Sequence, residues 1–212
     1  MADKIILWDW DGTLVDSFPT IHEAYNKTRR HFGMNEWSFE ETQKNIARSA
    51  REVFPEMFGD NAAQAEDLFY KTYAELAPKH VRAKEGRGDL LEATSDKGAL
   101  HLLISNKRGD ILRAECKALG WEKHFKAIIG ANDATDDKPS AAPIALAYEK
   151  AKLRTSPEHY YIGDAPIDGL TAKAAKIKSL LLAGETHEHD YLAPHGDEIM
   201  TYADFKKWIL DL

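Results

Sequence analysis

The chain has 212 residues, enough for one large domain or two small ones and too many for a miniprotein held together by disulfides. Hydrophobic residues make up 43% of the sequence and charged residues 30%, which is typical of a globular protein and excludes a disordered one. The net charge of −7 argues against non-specific binding to nucleic acid or to anionic lipid.

No segment of the sequence predicts a membrane span or a secretory leader. The longest apolar runs, such as residues 180–183, fall far short of the roughly 20 residues that cross a bilayer. Residues 1–5 lack the basic and apolar regions of a signal peptide, and the single cysteine, Cys116, suits a reducing compartment. We therefore expect a cytoplasmic protein, monomeric or homodimeric, without a membrane or nucleic-acid partner.

Five short apolar runs recur along the chain, and amphipathic stretches follow most of them. The runs are residues 5–8, 100–104, 127–129, 160–162 and 180–182. Such short continuous runs are typical of strands buried on both faces of a parallel sheet. Helical patterns lie between them, at residues 110–119 and 143–153. This alternation predicts a doubly wound, Rossmann-like α/β domain.

The interval from Ser17 to Lys84 breaks this rhythm, because it contains helical patterns and no convincing strand. The predicted helices are residues 17–32, one that starts at Ser38, residues 49–58 and residues 61–76. The hydroxyl of Ser17 is a candidate cap for the first, and Ser38 with Glu41 predicts a capping box for the second. We expect a core domain of residues 1–16 and 85–212 with an inserted all-helical cap domain of residues 17–84.

The sharpest local pattern is Asp9-Trp10-Asp11-Gly12-Thr13, directly after the first apolar run. Ligands of open α/β sheets bind beyond the carboxyl ends of the strands, which is where this pattern falls. Asp9 and Asp11 are two residues apart, so in extended backbone their side chains project to the same side. Gly12 lets the chain turn sharply. The alternative is an acidic strand-to-turn junction without a function.

Further polar residues follow the other predicted strands. Ser105 and Asn106 offer groups that suit phosphate oxygens, although a simple helix cap is an alternative, and Lys138 follows the third run. Asp164 and Asp168 follow the fourth run. With Asp9 and Asp11, they bring four carboxylates to one rim, where each resists ionisation unless a cation is present. A divalent cation with oxygen ligands, such as Mg²⁺, removes this conflict.

These motifs, in this order, resemble those of the haloacid dehalogenase superfamily, in the branch with a helical cap inserted after the first motif. Phosphoglycolate phosphatases and β-phosphoglucomutases belong to that branch, and the resemblance covers residues 5–182. It implies that Asp9 is a nucleophile that forms an aspartyl-phosphate and that Asp11 is the general acid and base. It further implies that Ser105 binds the transferring phosphoryl group and that Lys138 balances charge.

The same resemblance implies the metal ligands and the phosphate contacts. Asp164 resembles a direct Mg²⁺ ligand, Asp168 assists directly or through water, and Asp9 and the backbone carbonyl of Asp11 complete the protein's share. Expected substrate contacts in the core are Gly12, Thr13 and Asn106.

Specificity is expected to lie in the cap, where residues 45–54 resemble the segment that faces the active site in this branch. Arg48 and Arg51 are candidates for a substrate carboxylate or phosphate, and exposed surface arginines are the equal alternative. Beyond Ala183 the chain resembles no part of the family. Its histidines, His187, His189 and His195, have irregular spacing, which favours a solvated loop over a second metal site.

We therefore predict a Mg²⁺-dependent phosphatase that acts on a small phosphorylated metabolite and is similar to phosphoglycolate phosphatase. The first alternative is a sugar phosphomutase similar to β-phosphoglucomutase, since the same core chemistry serves both. A non-catalytic protein that binds a phosphorylated ligand is the second alternative, and the retention of every catalytic group argues against it.

Overall fold

The computed structural model describes residues 4–46, 48–184 and 186–211. The chain divides into two compact units, one that runs to Val15 and resumes at Ala83, and one of residues Asp16–Arg82. Residues 1–3, part of the segment on which the expectation of no leader rests, and Ala47 of the predicted cap segment lie outside the described residues. None of the helices in the described part of the chain combines the length and the apolar composition of a membrane span.

The strands of the described residues form a six-stranded sheet and a two-stranded one. In chain order they are β1 (Ile5–Trp8), β2 (Val15–Asp16), β3 (Arg82–Ala83), β4 (Leu100–Arg108), β5 (Phe125–Ala131), β6 (Tyr160–Gly163), β7 (Lys178–Ala183) and β8 (Glu198–Thr201). The larger sheet has the order β5-β4-β1-β6-β7-β8, and all its pairs are parallel. The short strands β2 and β3 pair with each other.

Helices precede or follow most strands of the large sheet and make up most of the second unit. In chain order they are α1 (Phe18–His31), α2 (Phe39–Asn45), α3 (Ala50–Phe58), α4 (Ala62–His80), α5 (Arg87–Asp96), α6 (Gly109–Ala118), α7 (Ala142–Ala151), α8 (Pro166–Ala175), α9 (His189–Leu192) and α10 (Tyr202–Asp211). The predicted α/β sheet and the inserted run of helices are both confirmed.

The centre of the sheet is apolar on both faces, as the continuous hydrophobic runs require. β1 lies between β4 and β6, with Ile5 opposite Leu100 and Ile6 opposite Tyr160. Leu7 and Leu102 are completely buried in the core that these strands form with α7 and α8. This burial fixes the strand ends, and therefore the loops that follow them, in a rigid frame.

The five predicted strands correspond to β1, β4, β5, β6 and β7, but three strands, β2, β3 and β8, escaped prediction. β8 lies at the edge of the sheet, and its residues are only half-buried or exposed, so it lacks the apolar run of a central strand. The expectation of no strand between Ser17 and Lys84 is wrong at β3, whose two residues are both exposed. A strand of that length has no periodicity to detect.

The second unit packs its helices around aromatic side chains. Tyr25 of α1 contacts Phe54 of α3 and Phe69 of α4, with ring centroids 5.6 and 4.6 Å away. Such pairs contribute about 1 kcal/mol each beyond the area that they bury. Tyr73, also on α4, is 2% exposed.

The helix starts of this unit match the capping predictions in one case of two. Ser38 and Glu41 form the predicted capping box, with Glu41 N donating to Ser38 Oγ and Ser38 N to Glu41 Oε2. Ser17 occupies the N-cap position of α1, but the prediction that its hydroxyl oxygen accepts a capping hydrogen bond is wrong. Its backbone is in the helical region rather than the extended one, and Pro19 two residues on has no N–H to donate.

Candidate active site

The candidate site forms at the carboxyl ends of β1, β4 and β6, which are neighbours in the sheet. Asp9 follows β1 directly, and its backbone N–H donates to the carbonyl of Ile162 in β6 at 2.9 Å. The chain then turns back at once, since the N–H of Val15 donates to the carbonyl of Trp10. The turn keeps Asp9 and Asp11 at the edge of the sheet where ligands of α/β proteins bind.

Gly12 and Thr13 complete this turn and contact the loop after β6. Gly12 has a φ of +86°, and a Cβ on it would lie 2.2 Å from Asp164 Oδ2. Thr13 is completely buried, and its Oγ1 donates to Asp164 Oδ1 at 2.7 Å. Gly12 therefore leaves room for the Asp164 carboxylate, and Thr13 orients it. The predicted contact of both residues with substrate stays a prediction.

Lys138 joins the nucleophile candidate to the loop after β6. Its Nζ donates to Asp9 Oδ1 at 2.7 Å, to Asp168 Oδ1 at 2.8 Å and to the Tyr161 hydroxyl at 3.0 Å. Lys138 is 3% exposed. Burial alone lowers the pKa of the Lys138 ammonium, but the facing carboxylates of Asp168 and Asp9 outweigh burial and raise it well above its usual range. The amine therefore stays charged, as charge balance on a phosphoryl group requires.

Asp164 lies in the loop between β6 and α8, and Asp168 lies in the first turn of α8. Both residues are buried. Asp168 Oδ2 accepts from the backbone N–H groups of Asp164 and Ala165 at 3.2 and 3.1 Å, which closes the start of α8. Burial, with the nearby Asp168, raises the pKa of Asp164 to about 6, and burial raises the pKa of Asp9 well above its usual range against the opposing effect of Lys138.

Asp9, Asp164 and Asp168 form a cluster that suits a metal ion. Each offers a carboxylate oxygen, and these oxygens all lie within 4.8 Å of one another; among the described residues no other group of three acidic, histidine or cysteine side chains does so. Lys138 offsets one of the three negative charges. A divalent cation that prefers oxygen ligands, as Mg²⁺ does, offsets the other two, so the residues fit the predicted ion. The side chain of Asp11 is not part of the cluster.

Ser105 and Asn106 lie near the end of β4 and have different partners. The backbone N–H of Lys107 donates to Ser105 Oγ at 3.0 Å, and Ser105 Oγ lies 3.4 Å from Asp11 Oδ2. Asn106 holds the backbone of Lys138 at two points: its Oδ1 accepts from the N–H at 2.9 Å and its Nδ2 donates to the carbonyl at 3.0 Å. This pairing ties Lys138 to the strand that carries Ser105.

Three further residues form a hydrogen-bonded network that ends at Asp11, and none of them was predicted from the sequence as part of the site. Lys107 Nζ donates to Asp11 Oδ1 at 2.5 Å and to Glu115 Oε2 at 2.7 Å. The indole N–H of Trp10 donates to the same Glu115 oxygen at 2.7 Å. Glu115 belongs to the buried face of α6, with Leu112 and Cys116. A carboxylate at an apolar position of an amphipathic helix was the available signal for it.

Arg48 and Arg51 lie in the second unit. The guanidinium of Arg48 forms a two-point ion pair with Glu56, at 2.9 and 2.6 Å. Their predicted contact with substrate stays a prediction.

The histidines beyond β7 do not form a metal cluster among the described residues. The ring of His187 packs at a tilt of 35° against Tyr191 with centroids 4.7 Å apart, and His189 Nδ1 lies 3.5 Å from Asp190 Oδ1 on the surface. Burial lowers the pKa of His187.

Residues 6–182 match the profile of the family described as haloacid dehalogenase-like hydrolase. The chain belongs to this family. The predicted membership of the haloacid dehalogenase superfamily is therefore confirmed, and with it the prediction of an enzyme of the hydrolase class.

Curated relatives within this family are named as phosphatases. The chain is 28% identical over 180 residues to the phosphoglycolate phosphatase of Aquifex aeolicus strain VF5, with 84% of each chain covered. It is 26% identical over 196 residues to the pyrophosphatase PpaX of Bacillus pumilus strain SAFR-032, covering 92% of this chain and 90% of the relative. The predicted similarity to phosphoglycolate phosphatases is thus confirmed as a similarity.

The fold of the haloacid dehalogenase-like chain also matches solved structures over most of its length. One is CbbY of Rhodobacter sphaeroides, solved in complex with xylulose-1,5-bisphosphate. The TM-score is 0.80, the identity is 19%, and 93% of each chain is covered. This likeness supports the assignment of the fold.

Proposed function

We propose that the protein is a Mg²⁺-dependent phosphatase that hydrolyses a small phosphate monoester through an aspartyl-phosphate on Asp9. The observation that carries the proposal is the Asp9 carboxylate at a strand end, 2.7 Å from Lys138 and within the cluster that Asp164 and Asp168 complete. A nucleophile, a fixed positive charge and a cation site in one place are the parts that phosphoryl transfer needs.

In the first step, an oxygen of Asp9 attacks phosphorus, and the bond from phosphorus to the leaving oxygen breaks. Asp11 donates a proton to that oxygen, so an alcohol leaves rather than an alkoxide. Lys138 holds its charge beside the reacting groups, which offsets the repulsion between the Asp9 carboxylate and the phosphate. Ser105 is proposed to donate its hydroxyl to a phosphoryl oxygen.

In the second step, water attacks the aspartyl-phosphate, and Asp11 accepts the proton that the water loses. The phosphorus–oxygen bond to Asp9 breaks, inorganic phosphate leaves, and the free carboxylate is restored. Asp11 has then gained the proton that it gave away, so the cycle closes. Bound Mg²⁺, held by Asp9, Asp164, Asp168 and the Asp11 carbonyl, would supply charge neutralisation for the phosphoryl group.

The proposal extends to the domain organisation and the substrate. The helical unit is proposed to be a cap domain that determines specificity, with Arg48 and Arg51 as candidate contacts for a carboxylate or phosphate on the substrate. The relatives named as phosphoglycolate phosphatases support 2-phosphoglycolate, a small anionic monoester, as the first substrate to test.

The test is a panel of phosphorylated metabolites, including 2-phosphoglycolate and sugar phosphates, assayed for released phosphate with and without Mg²⁺. We expect turnover only with Mg²⁺, and a loss of at least about 1,000-fold in Asp9→Asn, because an amide cannot form the intermediate. Asp190→Asn, an exposed aspartate outside the site, is the control and should keep full activity.

Unchanged turnover in Asp9→Asn would overturn the mechanism. If the protein isomerises a sugar phosphate without net release of phosphate, the assignment changes from phosphatase to phosphomutase. If 2-phosphoglycolate is hydrolysed no faster than the other monoesters, the assignment of that substrate fails while the phosphatase assignment stands.

A further inference from the structure

A buried polar network reaches the side chain of Asp11 and is separate from the cluster of Asp9, Asp164 and Asp168. Trp10, Asp11, Lys107 and Glu115 come from the turn after β1, from β4 and from α6. Lys107 Nζ lies 2.5 Å from Asp11 Oδ1 and 2.7 Å from Glu115 Oε2, and Trp10 Nε1 lies 2.7 Å from that same Glu115 oxygen. The contacts join residues 96 and 105 positions apart in the chain.

The network is well buried, so its geometry is fixed. The side chain of Lys107 is 6% exposed and that of Glu115 is 9% exposed. Trp10 is completely buried, and its ring packs edge-on against Trp121 with centroids 5.8 Å apart. Burying such ions gains little or no stability over apolar side chains of similar volume, because desolvation offsets the attraction between them. The presence of this network beside Asp11 therefore calls for a functional reason.

Asp11 is the least buried of the three charged members of the network, with a side chain that is 24% exposed. Both of its carboxylate oxygens have a neighbour in β4: Oδ1 accepts from Lys107, and Oδ2 lies 3.4 Å from Ser105 Oγ. A group that transfers protons at a partly open surface must be held in one orientation, since small displacements weaken such catalysis severely. Lys107 supplies the hold, and Glu115 with Trp10 keeps Lys107 in place.

We propose that Lys107 and Glu115 are positioning residues that hold the Asp11 carboxyl group in place for proton transfer to the leaving group, with the proton on Oδ2 because Oδ1 accepts from Lys107. The inference rests on the proposed role of Asp11 as general acid. Lys107 contacts Asp11 directly, whereas Glu115 acts on Asp11 through Lys107. Loss of either residue should therefore resemble a partial loss of Asp11.

The dependence of the reaction rate on the leaving group distinguishes this positioning role from a merely structural one. Nitrophenolate leaves without a proton, whereas an alkoxide needs one, so loss of acid catalysis slows an alkyl phosphate more than 4-nitrophenyl phosphate. A damaged fold slows both alike. The experiment measures kcat/KM at saturating Mg²⁺ for 4-nitrophenyl phosphate, for phenyl phosphate and for the alkyl phosphate of the panel that the unaltered protein hydrolyses fastest.

We expect Lys107→Met and Glu115→Leu to lower kcat/KM for the alkyl phosphate at least about 10-fold more than for 4-nitrophenyl phosphate, with phenyl phosphate between them. Glu115→Gln should largely restore the unaltered pattern, because both donors of the network converge on one oxygen, which the glutamine carbonyl can replace. In an Asp11→Asn background, Lys107→Met should add little further loss, since both changes remove the same function.

Arg113→Gln is the matched control, because it breaks an ion pair of the same helix α6, with Asp133, outside the network. It should change kcat/KM for all three substrates equally or not at all. Thermal unfolding of every variant checks that the fold is retained.

Equal losses for all three substrates in Lys107→Met and Glu115→Leu would overturn the inference while leaving the phosphatase proposal intact. An Asp11→Asn variant that itself shows no dependence on the leaving group would overturn the acid role of Asp11. An unaltered protein that releases phosphate from none of the substrates would overturn the proposed function itself.

Discussion

At the scale of single residues, Gly12 is constrained both by its backbone angle and by the side chain that lies against it. Its φ of +86° is one that residues with a Cβ adopt only with strain, and its missing Cβ leaves room for the Asp164 carboxylate. The residue therefore serves the site in two ways: it lets the chain turn after β1, and it allows the loop after β6 to approach this turn closely.

Gly12→Ala should lower kcat/KM at least about 100-fold, because the new methyl group displaces Asp164 by about an ångström or more from its place in the acidic cluster. The measurement is steady-state hydrolysis of the best substrate of the panel. Gly33→Ala is the matched control, since Gly33 also has a positive φ, +70°, but nothing lies within 4 Å of the position that its new methyl group would take. Equal activity in the two variants would contradict the explanation.

Single residues also mark how far the sequence allows prediction of the site. Asp9, Asp164 and Asp168 could be brought together in advance, because each follows an apolar run and parallel strands end at one edge. The network of Lys107 and Glu115 could not, since it depends on the reach of a long side chain from β4 to a helix, and no spacing rule encodes that. The predicted cap by the Ser17 hydroxyl is wrong because the backbone of Ser17 is in the helical region, whereas a capping residue normally has an extended backbone.

At the scale of elements, a buried histidine connects β4 to β1 and to α5. The indole N–H of Trp8 in β1 donates to His101 Nδ1 at 2.9 Å, and His101 Nε2 lies 3.2 Å from Thr94 Oγ1 in α5. Nδ1 must stay unprotonated to accept from Trp8. Burial, with a smaller effect of His124, lowers the pKa of His101 to about 4.

This histidine should make the fold less stable in mild acid. The unfolded chain binds the proton below a pH of about 6.5 and the folded chain only below about 4, so the free energy of unfolding falls as the pH falls between these values. Between about pH 7 and pH 5 the contribution of His101 is about 2 kcal/mol.

Urea unfolding at the two pH values, compared between the unaltered protein and His101→Gln, measures this contribution. Glutamine keeps an acceptor and a donor but does not titrate, so the variant should lack that part of the pH dependence. His189→Gln, on the surface, is the control. A variant of His101 with the full pH dependence would show that other groups carry it.

Elements also differ in how well sequence predicts them. The five central strands are continuous apolar runs because both faces are covered, and such runs are visible without a structure. β8 is an edge strand with half-buried residues, and its assignment depends on its neighbour β7 rather than on its own pattern.

At the scale of the whole molecule, the cation cluster connects ligand binding to stability. Asp9 lies in the first segment of the core and Asp164 and Asp168 in a segment about 150 residues later, so an ion that binds all three binds only the folded core. Its binding free energy is then added to the free energy of unfolding.

Mg²⁺ should raise the midpoint of thermal unfolding, with a stabilisation of about 2.7 kcal/mol at a concentration about 100 times the dissociation constant. A chelator should reverse the shift. Asp164→Asn should abolish it, whereas Asp190→Asn should retain it, and the readout needs no substrate. An equal shift in Asp164→Asn would mean that Mg²⁺ binds elsewhere.

The position of β1 at the centre of the sheet has a consequence for synthesis of the protein. Its residues Ile5–Trp8 leave the ribosome long before their partners, Leu100–Leu103 and Tyr160–Ile162. At about 5 to 20 residues per second, the strand waits roughly 5 to 20 s for its first neighbour and longer for its second. During that time an apolar segment with two free edges is open to chaperones and to other nascent chains.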